Sequence, residues 1–291
     1  MILKEIQNIF HQELDAIYDK DEVDSFFFIL TDAYLGMPRL ALSLQSGFAI
    51  TKEEEQPLYE ALAKLKQEEP IQYILGKTEF YGLIFKVNEN TLVPRPETEE
   101  LVNLIISNQP DKSKQLNVLD IGTGSGCIAI SLAKNLPNAK VFALDVSEQA
   151  LEVATENALI NKANVQFIKT DILNRNNWNL GFHNSKFDII VSNPPYVRNL
   201  EKTEMRKNVL KYEPELALFV EDDDPLIFYR TIADFATRCL NTSGQLYFEI
   251  NQYLGNNTVT LLQDFGFQHI HLKKDVFAND RMIKALWHPS Q

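Results

Sequence analysis

Apolar residues recur at three- and four-residue intervals from residue 1 to about residue 70, the period of a helix with one buried face. Ile2, Ile6, Ile9, Phe10, Leu14 and Ile17 form one stripe, and residues 25–44 form a second apolar segment interrupted near Gly36 and Pro38. Thr51 followed by Glu54 is a capping box. Pro57 lies awkwardly for a helix opening at Thr51, so the pattern predicts a later start. Leu58, Leu62 and Leu65 continue the stripe. This region reads as a small helical bundle, with Phe26 to Phe28 in its core.

Past Pro70 the period changes. Residues 80–87 and 91–93 read as two short strands around Asn88-Glu89-Asn90, a hairpin. Pro94-Arg95-Pro96, with Glu97, Glu99 and Glu100 behind it, starts a helix and places carboxylates near its positive end. Residues 108–115 are a polar loop. Strands then alternate with helices. Strands are expected at 117–121, 140–144, 165–168, 187–192, 245–250, 269–273 and 282–287. Helices are expected at 126–136, at 147–161 behind Ser147, and at 258–265. Asp224-Pro225 reads as cap and first residue of a further helix running to about residue 240. Residues 197–223 are irregular or helical and highly charged. The alternation implies an α/β fold with a mostly parallel sheet covered on both faces. The chain divides into a helical domain at 1–76, a hairpin linker at 77–95 and an α/β domain at 96–291.

Composition narrows the class. The chain has 291 residues, 45% hydrophobic and 23% charged, with 28 basic and 40 acidic side chains and a formal net charge of -12. That balance opposes broad phosphate binding, which needs a basic surface. Cys127 and Cys239 are the two cysteines. They form neither a disulfide framework nor a zinc pattern and suit a reducing cytoplasm. No signal peptide, membrane span or stable nucleic-acid binding is expected. His183, His269 and His271 lack metal spacing, so no metal is expected.

Ligands of such sheets bind at the carboxyl ends of the strands. Asp120-Ile-Gly122-Thr-Gly124-Ser-Gly126 ends the first of these strands and opens a helix. Glycines there let a ligand approach main-chain N–H groups. Asp145, at the end of the next strand, suits both hydroxyls of a ribose. Gly124-x-Gly126-x-x-Ala129 also satisfies the dinucleotide fingerprint, so the pair points to a nucleoside cofactor without naming it. Asp120 immediately before the glycines would face a pyrophosphate in a dinucleotide site but a zwitterionic tail in an S-adenosylmethionine site. Asp171 can accept from an adenine amino group. Trp178 could stack on a base or pack in the core.

The strand at 187–192 runs into Asn193-Pro194-Pro195-Tyr196. Two prolines leave a stretch of backbone offering only carbonyl acceptors, and the residue before each is pushed toward an extended form. A stiff row of acceptors beside a flat ring suits a planar group carrying N–H bonds, such as an amide or an amino-purine.

Together these elements resemble a class I S-adenosylmethionine-dependent methyltransferase that methylates a planar nitrogen. Pro94-Arg-Pro-Glu-Thr-Glu99, Pro70-x-Gln72-Tyr73-x-x-Gly76, Glu213-Pro214-x-x-Ala217-Leu218 and Asp280-Arg281 resemble the PrmC (HemK) family, the release-factor glutamine N5-methyltransferases. The resemblance spans about residues 70–285. It implies a Rossmann-like methyltransferase sheet and a substrate-recognising N-terminal helical domain. The implied donor is S-adenosylmethionine on Gly122, Thr123, Gly124, Ser125, Gly126, Asp145, Asp171, Ile172 and Asn193. The implied substrate is the Gly-Gly-Gln glutamine of bacterial class I peptide-chain release factors, held by Asn193, Pro194, Pro195 and Tyr196. Asn193 and the Pro194 carbonyl would accept the amide hydrogens, and Tyr196 would stack on the amide plane. A monomer is expected. Two departures stand out. Phe219-Val-Glu-Asp-Asp-Asp-Pro225 replaces the usual glycine-rich stretch, and Asn251 follows Glu249-Ile250 where the family often has glycine.

Three rivals remain. An adenine-N6 methyltransferase acting on DNA or RNA would need a basic surface. An NAD-dependent oxidoreductase leaves the two prolines unexplained. A nucleotide-sensing adaptor would not need Asn193 and Tyr196. Arg198, Lys202, Arg206, Lys207 and Lys211 could grip a partner but read first as a solvated face, and Glu221 to Asp224 as a solvated loop and helix start, not a metal site.

Overall fold

The computed structural model describes residues 1–44, 47–178 and 186–289; His183 lies outside them. The chain forms two compact units. One comprises Met1–Gly76 with Arg206–Tyr212, the other Lys77–Met205 with Glu213–Gln291. Residues 206–212, which the sequence division assigns to the α/β domain, therefore group with the N-terminal helices.

The first unit contains α1 (Leu3–Leu14), α2 (Lys20–Leu35), α3 (Arg39–Leu44), α4 (Lys52–Leu65) and α5 (Ile71–Leu75). Ile6, Phe10 and Leu14 of the expected stripe are buried with Val23, Phe27, Leu30 and Leu58, whereas Ile2 and Ile17 reach solvent. Helix α4 starts at Lys52, not later. Thr51 Oγ1 accepts from Glu54 N (3.3 Å), and Glu54 Oε2 accepts from Thr51 N (2.8 Å). The two-way cap holds the first turn with Pro57 inside the helix. Arg206 pairs with Glu22 (2.9 Å), and Tyr212 donates to Gln67 O (2.9 Å).

The second unit opens with β1 (Lys77–Phe80) and β2 (Leu83–Lys86), joined at Tyr81-Gly82. This corrects the hairpin expected around residues 88–90. Tyr81 and Gly82 both have positive φ, 50° and 72°. That is the two-residue turn whose twist matches paired strands. The hairpin is tied to the second unit by Asn157, which accepts from Lys86 N (2.6 Å) and donates to Lys86 O (2.9 Å).

In chain order follow α6 (Pro96–Ser107), β3 (Asn117–Ile121), α7 (Cys127–Asn135), β4 (Lys140–Asp145), α8 (Glu148–Ile160), β5 (Val165–Lys169) and β6 (Phe187–Ser192). Then come β7 (Val197–Arg198), α9 (Lys207–Tyr212, in the first unit), α10 (Glu215–Leu218), β8 (Phe219–Val220), α11 (Ile227–Cys239), β9 (Leu240–Glu249), α12 (Gly255–Asp264), β10 (Gln268–Lys274) and β11 (Asp280–Trp287). Asp224-Pro225 does not open α11. A turn with Ile227 N on Asp224 O intervenes, and Asp224 instead pairs with Arg230 of α11. The main sheet has seven strands in the order β10-β11-β9-β6-β3-β4-β5, and β11 runs antiparallel to both its neighbours. Successive residues of β3 face opposite cores. Val118 packs with α6 and α7, Leu119 with α11. A strand buried on both faces is mostly apolar; β3 has Val118, Leu119 and Ile121, with Asp120 its one buried charge. No helix among the described residues is long and apolar enough to cross a membrane.

Candidate active site

The carboxyl ends of β3, β4, β5 and β6 open onto one cavity of about 300 Å³. Gly122, Thr123, Gly124 and Ser125 contribute one wall, Asp145 a second, Asp171 and Ile172 a third, and Asn193, Pro194 and Pro195 a fourth. Nothing lies within 4 Å of where a Cβ would stand on Gly122 or Gly124, so a ligand can approach the backbone there. Asp145 accepts from Gly124 N (2.9 Å) through one oxygen and from Ser147 N (2.9 Å) through the other. A carboxylate has about four lone-pair sites, which leaves room for two more donors. Burial raises the Asp145 carboxyl above its usual range.

Gly126 and Tyr196 are the two expected site residues that the cavity wall does not include. Gly126 has φ +82°, and a Cβ there would stand 2.9 Å from Ile130 Cδ1 and 3.1 Å from Ala154 Cβ. Its place is where α7 meets α8. The Tyr196 ring is half-buried against the core beneath α11. Its hydroxyl donates to Glu249 Oε1 (3.1 Å), and its carbonyl accepts from Asn251 Nδ2 (3.0 Å). Asn251 also donates to Glu201 (2.9 Å). The asparagine that departs from the family pattern thus ties down the backbone of the Pro-Pro-Tyr turn.

Asp120 is fully buried beneath the glycine loop and braces it. One carboxyl oxygen accepts from Thr123 Oγ1 (2.6 Å) and Ala129 N (3.2 Å), while the other has no partner. Burial pushes its carboxyl up to about 7. Cys127 is on the cavity wall, but burial pushes its thiol up to about 12, so it stays protonated at neutral pH. Trp178 is off the wall. Its Nε1–H donates to Ile172 O (2.7 Å), and its ring stands edge-on to Phe235 in the core.

Of the charges expected on a solvated face, Arg206, Lys207, Lys211 and Glu221 to Asp223 are exposed, and several of the set also have partners within the chain. Arg198 pairs with Glu201 (3.0 Å), Lys202 lies over the Phe219 ring (4.1 Å), and Asp222 accepts from Leu200 N (3.1 Å). Among the described residues no group of three or more His, Cys, Asp or Glu side chains could hold a metal ion.

Four residues at or behind the site carried no assigned role in the sequence. Thr98, in the first turn of α6, accepts from Asn193 Nδ2 (3.3 Å) and donates to Glu249 Oε2 (2.7 Å). Glu249 ends β9 and is buried. Burial raises its carboxyl, opposed by the Thr98 hydroxyl and the Arg281 charge. Arg281, near the start of the reversed strand β11, reaches Tyr196 Oη and Ile250 O (both 3.5 Å) and pairs with buried Asp275 (3.1 Å). Glu213 of the Glu-Pro element accepts from Val93 N (3.1 Å) and from Arg95. Pro94 to Glu99 and Asp280-Arg281 marked these segments in the sequence, but only the fold brings them to Asn193.

Comparison with known proteins accords with this geometry. Residues 5–76 match the PrmC N-terminal domain family, and residues 97–215 match the Methyltransferase small domain family. The release factor glutamine methyltransferase of Flavobacterium psychrophilum is 55% identical over 287 residues, 98% of this chain and 99% of that protein. That of Bacteroides thetaiotaomicron is 44% identical over 274 residues, 94% and 96% of the two chains. The solved T. thermophilus 16S rRNA N2 G1207 methyltransferase, in complex with AdoMet and guanosine, shares the fold at TM-score 0.51 and 17% identity, covering 72% of this chain and 49% of its own. With a half-identical relative covering almost its whole length, this chain belongs to the release factor glutamine methyltransferase family.

Proposed function

We propose that this protein transfers a methyl group from S-adenosylmethionine to the side-chain amide nitrogen of the Gly-Gly-Gln glutamine in class I peptide-chain release factors. One observation carries the assignment of the site. Asn193 commits its Nδ2–H to Thr98, and no donor among the described residues reaches its Oδ1. A bare acceptor therefore stands beside the donor-less Pro194 on the cavity wall.

The cavity fits the donor molecule. Asp145 has lone pairs to spare for a ribose diol, the open faces of Gly122 and Gly124 admit a tail against the backbone, and Ile172 and Leu144 offer apolar surface for a base beside Asp171. When bound, S-adenosylmethionine supplies a methyl group activated by its sulfonium.

The chain's own residues make a poor nucleophile reactive by placing it. Asn193 Oδ1 accepts one amide N–H and the Pro194 carbonyl accepts the other, which fixes the nitrogen in the cavity. Near-attack positioning supplies roughly 7–11 kcal/mol of barrier reduction. The same two oxygens stabilise the positive charge that grows on the nitrogen, and its proton leaves to solvent. Pro195 stiffens the turn, and Tyr196 anchors it through Glu249 and Asn251. The helical segment 1–76 recognises the protein substrate, and the enzyme works as a cytoplasmic monomer.

The test uses purified protein, labelled S-adenosylmethionine, a release factor and its Gln→Ala loop variant. Label on the wild-type factor alone is expected. Label on DNA or RNA, or on the loop variant equally, refutes the reading. Asn193→Ala should abolish transfer while changing cofactor affinity little.

A further inference from the structure

We propose that Glu249 is a positioning residue that sets which end of the Asn193 amide faces the substrate, acting through Thr98. The proposal rests on the reading of Asn193 as the residue that holds the substrate amide. Asparagine presents two nearly isosteric ends, an acceptor oxygen and a donor NH₂. Only the oxygen can receive a substrate N–H. With the amide turned over, two NH₂ groups would meet and the site would repel its substrate.

The wiring of the site decides the orientation. Glu249 is 1% exposed, and its two oxygens both accept, one from Thr98 Oγ1 (2.7 Å), the other from Tyr196 Oη (3.1 Å). A threonine hydroxyl has a single hydrogen. Once that hydrogen is given to Glu249, Thr98 can only accept from its other neighbour. Asn193 must then turn Nδ2 toward Thr98 (3.3 Å), which leaves Oδ1 for the cavity. The donor direction runs Asn193 to Thr98 to Glu249, and the carboxylate is its terminus.

Tyr196 supports the same arrangement. Its hydrogen is spent on the second oxygen of Glu249, so each carboxylate oxygen holds one hydroxyl donor and the carboxylate is fixed between them. Arg281 stands 3.5 Å from Tyr196 Oη and is itself held by Asp275 (3.1 Å). A positive charge thus stands behind a buried negative one. Thr98 and Glu249 lie 151 residues apart in the chain, and both side chains are buried. A methyl group and a hydrocarbon would pack this space without the desolvation cost of a carboxylate.

Glu249→Gln keeps shape and burial but replaces one acceptor with a donor. Its NH₂ must face either Thr98 or Tyr196. Facing Thr98, it reverses the chain and turns the Asn193 amide over; facing Tyr196, it leaves two hydrogens in opposition. The test measures kcat and KM with a release factor, the Kd for S-adenosylmethionine, and Tm, for Glu249→Gln, Thr98→Val, Thr98→Ser and Asn193→Ala. Glu249→Gln should lose on the order of 10²-fold in kcat, the scale of a misplaced reacting group, with cofactor Kd and Tm near wild type. Thr98→Val should match it, and Thr98→Ser, which retains the hydroxyl, should restore most of kcat. Should Glu249→Gln not fold, the two Thr98 variants decide. Wild-type kcat in Glu249→Gln or Thr98→Val overturns the proposal, as does a kcat loss that merely follows Tm or cofactor Kd. If Asn193→Ala itself stays active, the reading of the site fails. If it is dead while Glu249→Gln and Thr98→Val are active, only the role of Glu249 falls.

Discussion

Gly126→Ala and Gly124→Ala should separate two reasons for glycine in one loop. Both positions have left-handed backbone, with φ +82° and +55°, so alanine costs about 1–2 kcal/mol at either. Their surroundings differ. A methyl at Gly126 would stand 2.9 Å from Ile130 Cδ1 and 3.1 Å from Ala154 Cβ. Both neighbours are fully buried, so relief requires moving α7 against α8. Overpacking of this kind adds about 1–3 kcal/mol. Gly126→Ala should therefore lose about 2–5 kcal/mol in urea unfolding followed by circular dichroism. A methyl at Gly124 meets nothing within 4 Å but enters the space along the cavity wall. Gly124→Ala should lose no more than the backbone cost, and should weaken S-adenosylmethionine binding in calorimetry more than Gly126→Ala does. A Gly126→Ala variant as stable as wild type but unable to bind would refute the reasoning and put Gly126 on the ligand.

Three further expectations concern stability. Asp120 is held near 7 by burial, against about 3.9 in an unfolded chain. Between those values the unfolded state has released a proton that the folded state keeps, so stability falls as pH rises. The contribution is fully present below about pH 4 and is lost as pH climbs through about 7, on the order of 4 kcal/mol in all. Asp120→Asn should flatten that slope in denaturation measured across pH 4–8. His11 is raised by its hydrogen bond to Asp15, with Asp24 assisting. Its stabilisation of the helical unit should be present below about pH 6.5 and fade above it, and thermal melts of His11→Gln should lack that component. Thr51→Ala removes the cap of α4 and should cost about 1 kcal/mol in urea unfolding.

Much of the fold was legible because it is local. The strands ending at Ile121, Asp145 and Ser192 are dominated by apolar residues on both faces, and such runs announce themselves. The cavity followed from general topology, since ligand sites in these sheets lie at the strands' carboxyl ends. Turn chemistry was harder. Tyr81-Gly82 makes the hairpin, yet a tyrosine at positive φ is an unusual choice, and Asn88 to Asn90 offered a more ordinary turn signal. Glu213 was recognised only as part of a motif; its bonds to Val93 and Arg95 cross some 120 residues and have no local signature. The same holds for Thr98 and Glu249. Periodicity reports which face of an element is buried, not which distant side chain shares that burial. Gly126 looked like its neighbours in the glycine loop because sequence does not distinguish a glycine that meets a ligand from one that meets a helix.

The grouping of Arg206–Tyr212 with the N-terminal helices has a consequence for taking the protein apart. The polypeptide crosses between the two units three times, near residues 76, 205 and 212, so the helical unit is stitched in and not strung on as a bead. A protease nick between residues 76 and 77 severs one crossing and leaves Glu22 and Gln67 still gripping Arg206 and Tyr212. Deleting residues 1–76 does the opposite, stranding that short helix (Lys207–Tyr212) with its partners gone, downstream of the Asn-Pro-Pro-Tyr turn. No single cut in the chain therefore separates one unit from the other.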